Sequence, residues 1–377
     1  MGAILAVADW LDRGITSGKI VHSGPKLTMH TLLTALIKAY EIQGCFLLRN
    51  AFNTHGLDHV ILVKLASTAV VSWLLGLTEE ETMAAISHVW MDGHPLRTYR
   101  QGTNTTPRKG WAAGDACMRA VQLAFLTQAG QPGSKTALTA PRWGFYDTLF
   151  GGKSFELPKP YGNWVIENVI FKVMPVEGHG IAAVQASLQH GKILRARGLM
   201  PEKHIKKIEI RTMAAAVLII NKQGPLNNAA DRDHCMQYMV ALAFLKDAAP
   251  EAEDYKNESP WASDANLAEL RSKVHLIEDK QLTDDYMNLE KKSLASGVTV
   301  FFTDGTVSEE ILVEFPVGHV RNPETAAAVK EKFRKNIALK FSNEEAREIL
   351  EAVEMPDMSI SEFVDLFVRN KQTEAKL

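Results

Sequence analysis

Residues 178–212, GHGIAAVQASLQHGKILRARGLMPEKHIKKIEIRT, decide the fold class. The first half repeats apolar residues at helical spacing, whereas in IKKIEIRT Ile208 and Ile210 alternate with charge, as a half-buried strand does. Before about residue 165 the signals are helical. VILVKLASTAVVSWLL (60–75) reads as a buried helix stopped at Gly76, Thr78 and Glu81 form a capping box, and Leu33, Leu36, Ile37 and Tyr40 recur at helical spacing. Downstream, GVTVFFTDGTVSEEILVEFPVG (297–318) is a hairpin signal with Asp304-Gly305 at the turn. Capping boxes at Ser342/Glu345 and Ser359/Glu362 then announce amphipathic helices that need a partner surface. The expected architecture is mainly α with an α+β part. A large helical domain takes residues 1–167, an inserted α+β lid domain takes 168–322, and residues 323–377 return to the helical domain. The acidic stretch 246–264 reads as a surface excursion.

Composition narrows the function. A chain of 377 residues, 46% hydrophobic, buries a substantial core, and 42 basic against 44 acidic residues leave a net charge of −2. No basic face advertises nucleic acid or an anionic membrane, so neither is an expected partner. Three scattered cysteines argue for a reducing compartment and against a disulfide framework. No apolar run reaches the length of a membrane span, and no targeting signal is evident, which leaves cytoplasm or mitochondrial matrix as the expected location. His55-Gly-Leu-Asp58-His59 superficially fits an inverted zinc-protease pattern with Asp in place of Glu. A third ligand at suitable spacing is missing, so no metal is expected.

The chemistry centres on RTYRQGTNTTPRKGWAAGDACMR (97–119). Arg97, Arg100, Arg108 and Lys109 flank a Gly/Asn/Thr loop that runs into an apolar helix. Backbone N–H groups, a helix dipole and fixed cations can converge on an anion there, and a small polycarboxylate is the inferred ligand. In FKVMPVEGHG, Lys172 ends an apolar run ahead of Glu177 and His179, and a bound carboxylate would be a natural partner for it. In GPLNNAADRDHCMQYMVALAFL, Arg232 and His234 precede an apolar helix, with Tyr238 one turn beyond the histidine. This spacing would set an imidazole and a phenol on one face. Arg97, Arg100, Arg108, Arg232 and His234 are the expected substrate-binding residues. No glycine-rich nucleotide motif occurs, and no cofactor is expected.

Long literal stretches then identify a family. GAILAVADWL, AYEIQGC, GLDHVILVKLAST, DGHPLRTYRQGTNTTPRKGWAAGDA, ALTAPRWGFYD, KPYGNWVIENVIFK, GPLNNAADRDHCMQYMVA and FPVGH resemble the MmgE/PrpD family in order along the whole chain. The resemblance implies a metal-independent dehydratase, a helical domain with an α+β lid, and a homodimer. It implies conversion of 2-methylcitrate to 2-methyl-cis-aconitate in propionate breakdown by the methylcitrate cycle. A related branch decarboxylates cis-aconitate. Matched motif by motif, it assigns Lys109 (RKGWAAGDA), Lys172 (IFKVMP), His59 (LDHV) and Tyr238 (MQYMVA) to the catalytic set. Ala112 departs from the branch that carries His in a K-x-x-H-A-G segment. Two readings stand beside the first: an alkylcitrate dehydratase of a secondary pathway, and an inactive tricarboxylate-binding relic. Relatives carry an Asp-Phe-Asn-Asp-Thr and a His-Pro-Ser-Asp-Asn motif upstream of the point where this chain starts. Impaired turnover against a version extended upstream is therefore expected.

Overall fold

The structure, a computed structural model, describes residues 1–91, 93–100 and 105–368. The chain is mostly helical with one small mixed sheet, and it divides into two compact units. The first comprises Met1–Thr98, Arg108–Asn168 and the chain from Arg334 onward; the second comprises Tyr99–Pro107 and Val169–Phe333. Among the described residues no helix is long and apolar enough to cross a membrane.

The first unit is built on five helices, α1 (Gly2–Thr16), α2 (Met29–Leu47), α3 (Val60–Leu75), α4 (Glu79–Met91) and α5 (Arg108–Gln128). α3 is apolar all round and buried from Val60 to Leu75 with few exceptions, so α1, α2, α4 and α5 can all pack on it. It ends at Gly76 in the left-handed conformation (φ 76°), as its sequence demands. The capping box closes as expected: Glu81 N donates to Thr78 Oγ1 at 3.2 Å and Thr78 N to Glu81 Oε2 at 2.7 Å.

The helix expected from the spacing of Leu33, Leu36, Ile37 and Tyr40 forms. The buried face of α2 is Met29, Leu32, Ala35 and Ala39, while Leu33, Ile37 and Tyr40 point outward. Small alanines let two helix axes approach closely, so the inner stripe carries less bulk than the outer one. The glycine- and aromatic-rich segment 139–164 supplies core. Phe145, Phe150 and Phe155 interlock with Phe52 and Trp90 at centroid separations of 5.0–6.5 Å. The last helix, Ile360–Asp365, docks on α1 and α2, where Arg13 meets Asp365 at 2.6 Å and Ser361 N donates to Asp12 at 2.8 Å.

The second unit holds strands β1 (Ile205–Thr212), β2 (Val274–Glu278), β3 (Ser296–Phe302) and β4 (Ile311–Val313) in the order β2-β1-β3-β4. β1 and β2 are parallel; β1/β3 and β3/β4 are antiparallel. Gly305 at φ 89° makes the anticipated turn, with Asp304 accepting from Thr306 N at 2.8 Å. Helix α6 (Ile181–Ala196) packs on β3 and β4, and α7 (Met236–Lys246), buried from Met236 to Phe244, packs on α6. His190 of α6 reaches Val298 O on β3 at 2.8 Å.

Replacing Gly76 by Ala would set a methyl 2.7 Å from Ser23 Oγ and 2.8 Å from Gly24 N, in a backbone conformation that penalises a side chain. Gly76→Ala is expected to destabilise the protein by about 1–3 kcal/mol, read as a lower denaturant midpoint.

Candidate active site

Each unit carries its own polar cluster. In the first, Asp58 has no exposed surface and caps α3, accepting from Val60 N at 3.1 Å. Backbone pairing fixes the surrounding loops: Asp58 N donates to Pro95 O and Arg97 N to Gly56 O, each at 2.9 Å. This pairing sets Arg97 beside His59, with Nη1 3.2 Å from Nδ1, while Asp58 Oδ1 lies 3.3 Å from the same ring nitrogen. A guanidinium only donates and a carboxylate only accepts, so these two neighbours make opposite demands on Nδ1. His55 turns elsewhere and stacks on Phe150 at 4.2 Å. Among the described residues no three His, Cys, Asp or Glu side chains gather as a metal site would need.

A cleft of about 420 Å³ opens between α3, α5 and the 93–95 loop. Lys64, Arg108 and Arg119 line it together with His94 and Asp115, and Val60, Ile61, Ala112, Ala116 and Met118 supply its apolar wall. Three cations against one carboxylate favour an anionic ligand. Lys64 is only 3% exposed, with Nζ 3.5 Å from Gly93 O. Arg108 lies 3.7 Å from Asp115 and 4.2 Å above the Trp111 ring. Arg108 and Lys109 form the first turn of α5, where backbone N–H groups and the helix dipole favour negative charge. The polar residues 101–104, part of the expected anion loop, lie outside the described residues.

In the second unit, Glu177 and His179 stand at the entry to α6. The Glu177 carboxylate accepts from His179 N at 2.9 Å and faces His179 Nδ1 at 3.0 and 3.1 Å; Nε2 of the same ring lies 3.2 Å from the Tyr286 hydroxyl. Glu177 N donates to Asp233 O, and Asp233 Oδ1 sits 2.7 Å from His234 Nδ1, so a second histidine–carboxylate pair adjoins the first. Burial alone would raise the Glu177 carboxyl, but the hydrogen bonds from His179 and the charges of His179 and His234 hold it down at about 2. Burial pushes the Tyr286 phenol up, and the Glu177 charge adds to this.

Several expectations need correction. Tyr238 is 2% exposed, and its hydroxyl donates to Asp254 O at 3.1 Å. Burial pushes this phenol up to about 12, and the side chain packs in the core with its hydroxyl held by a backbone carbonyl. Arg232 is 6% exposed and gives its Nη1 to Tyr255 O and Asn257 Oδ1, each at 2.8 Å, so it fastens the 252–257 segment instead of binding substrate. That segment is therefore built into the unit, with Asp254 and Tyr255 buried. Thirdly, His234 lies in a turn ahead of α7, so it does not share a helix face with Tyr238. Lys172, expected in apolar surroundings, is exposed on a loop whose carbonyl accepts from Lys332. Arg100 stacks 5.0 Å from the Tyr99 ring. Two residues had no assigned role: Lys64, hidden in an apolar run, and Tyr286, more than a hundred residues from its partner histidine.

Comparison with known proteins gives this geometry its context. Residues 1–158 match the MmgE/PrpD N-terminal domain and residues 174–357 match the MmgE/PrpD C-terminal domain. The chain belongs to the MmgE/PrpD family. Alkylcitrate dehydratase phiI of a fungal species is 58% identical over 99% of this chain and 74% of its own length. A 2-methylcitrate dehydratase-like protein, oryR, of Aspergillus oryzae is 52% identical over 100% and 76%, and the 2-methylcitrate dehydratase of Escherichia coli K12 is 48% identical over 98% and 76%. As a member of the MmgE/PrpD family with relatives of this kind, the chain is a hydro-lyase.

A carboxyl held near 2 when folded and in the ordinary range when unfolded stabilises the fold fully above about pH 4.5, and this contribution is lost as pH falls toward 2. Glu177→Gln is expected to cost on the order of 2 kcal/mol at neutral pH and to flatten the loss of stability between those limits. Denaturant titrations of both proteins across that range measure it.

Proposed function

We propose that this hydro-lyase removes water from a 2-alkylcitrate to give the corresponding 2-alkyl-cis-aconitate. The cation-lined cleft of the first unit carries the reading. Elimination of water β to a carboxylate needs loss of a weakly acidic C–H proton, and the negative charge that builds on the carboxylate has to be met by cations already in place. Lys64, Arg108 and Arg119 answer that requirement from the cleft wall, with Lys109 next to Arg108 in the first turn of α5; His59 has Arg97 and Asp58 beside it as hydrogen-bonding partners, and Lys172 enters through the family resemblance alone. No step calls for a cofactor.

The 2-methylcitrate reading, which would place the enzyme in propionate catabolism, shares this chemistry with the longer-tailed reading. Identity of 58% to an alkylcitrate dehydratase against 48% to a bacterial 2-methylcitrate dehydratase favours the longer tail. Val60, Ile61 and Met118 offer it an apolar wall.

Each methylene placed against such a wall contributes about 0.8 kcal/mol, so kcat/KM for 2-hexylcitrate is expected to exceed that for 2-methylcitrate at least tenfold; the reverse order supports the methylcitrate reading. Lys109→Ala and Lys172→Ala are each expected to lower kcat/KM by about 100-fold or more, and near-normal kinetics in both would remove the cation argument. Calorimetric binding of the acid without turnover would mark the chain as a binding relic.

A further inference from the structure

The three cations of the cleft in the first unit stand at different depths. On α5, Arg119 is exposed and the Arg108 side chain is 37% exposed, so both sit at the mouth. Each is steadied by its own helix: Arg108 by Asp115 and the Trp111 ring, Arg119 by Gln122, whose Oε1 accepts from Nη1 at 3.0 Å. Lys64 enters from α3 and is buried. Holding a cation away from water is costly, and its Nζ stands 3.5 Å from Gly93 O, at the outer limit of a hydrogen bond. Where water is excluded, the same charge acts most strongly on a neighbouring anion.

The neighbours of Lys64 add a direction. Val60 and Ile61 line the cleft beside it, four and three residues earlier on the same face of α3 and about 5–6 Å back along the helix axis. In a 2-alkylcitrate the alkyl tail, one carboxylate and the hydrogen that is lost all share one carbon. A tail laid on Val60 and Ile61 therefore brings that carboxylate to the next turn of α3, which is where Lys64 stands.

We propose that Lys64 takes the carboxylate on the carbon that loses the proton and meets the charge that grows there, while Arg108 and Arg119 hold the remaining carboxylates at the mouth. This rests on the 2-alkylcitrate reading above and deepens it. As the C–H bond breaks, its electron pair spreads onto that carboxylate, and both oxygens come to carry negative charge. The pair then returns to form the C=C bond, and the C–O bond breaks with its electrons on oxygen. The proton from carbon and the departing hydroxide make one water, so no other reactant is consumed and Lys64 keeps its protons throughout. An interaction that strengthens as this charge develops speeds the chemical step, whereas contacts already complete in the bound acid govern its affinity.

Methionine separates the charge from the fold, because it suits an apolar helix and resembles the lysine stem in length. Lys64→Met is expected to melt within a few degrees of wild type, to keep KM for 2-hexylcitrate within about threefold, and to lose kcat by about 100-fold or more. Arg119→Gln is expected to show the opposite split, with KM raised about tenfold or more and kcat within about threefold. A nitro analogue of the acid, whose nitronate bears two negative oxygens where the developing charge would lie, is expected to bind wild type about 100-fold more tightly than the parent acid. Lys64→Met is expected to lose that preference. Lys64→Leu is read in the same way if methionine unsettles the fold. Near-normal kcat in a folded Lys64 variant, or an undiminished preference for the nitronate, overturns the proposal while leaving the substrate reading in place. Failure of both variants to fold assigns Lys64 to the architecture and overturns it as well. Wild-type inactivity toward citrate, 2-methylcitrate and 2-hexylcitrate alike overturns both readings.

Discussion

α3 is buried on nearly every side, so the charged groups at its start and along its length depend on partners inside the protein. Its N-terminus is met by Asp58, and its lysine turns to the carbonyl of Gly93. The carboxylate at the cap is also the one beside His59, and the loop pairing that buries it brings Arg97 alongside. The cap of α3 and the histidine–arginine contact thus depend on the same few atoms. Loss of Asp58 would disturb the cap, the histidine and the arginine together, and a defect in activity there could not be separated from a defect in stability.

The second unit solves a related problem with histidine–carboxylate pairs. Glu177–His179 and Asp233–His234 adjoin one another, and the hydrogen bonds from His179 help keep the buried Glu177 ionised against the cost of desolvation. Tyr238 and Arg232 lie close in sequence but serve a different end, tying down the 252–257 segment through backbone carbonyls. The separation shows how polar residues adjacent in sequence can serve different structural ends.

Much of the fold could be read from the chain because its signals are local. A capping box needs four residues, a glycine stop one, and a hairpin turn two; Thr78/Glu81, Gly76 and Asp304-Gly305 all behave as their chemistry requires. β2 went unseen because a parallel strand is paired through a long crossover, and VHLIE carries only one fully buried position. Which face of α2 is covered could not be read, because periodicity reveals that a helix has faces but not which one a neighbour packs on. For the site, the cationic stretch at 97–109 stood out by composition. The direction of Tyr238, the clamp made by Arg232 and the meeting of His179 with Tyr286 depend on contacts between distant segments, which no window of sequence contains.

The sheet also bears on how crowded molecules of this protein behave. Its outer strands are β2 and β4, of five and three residues, and Arg211 on β1 draws Asp279 and Glu310 into a charged brace beside them. Open strand edges are templates on which further chains can add, and brevity together with charge blunts that tendency. Self-association by edge-to-edge growth is therefore disfavoured at the one place in the described fold where it would otherwise begin.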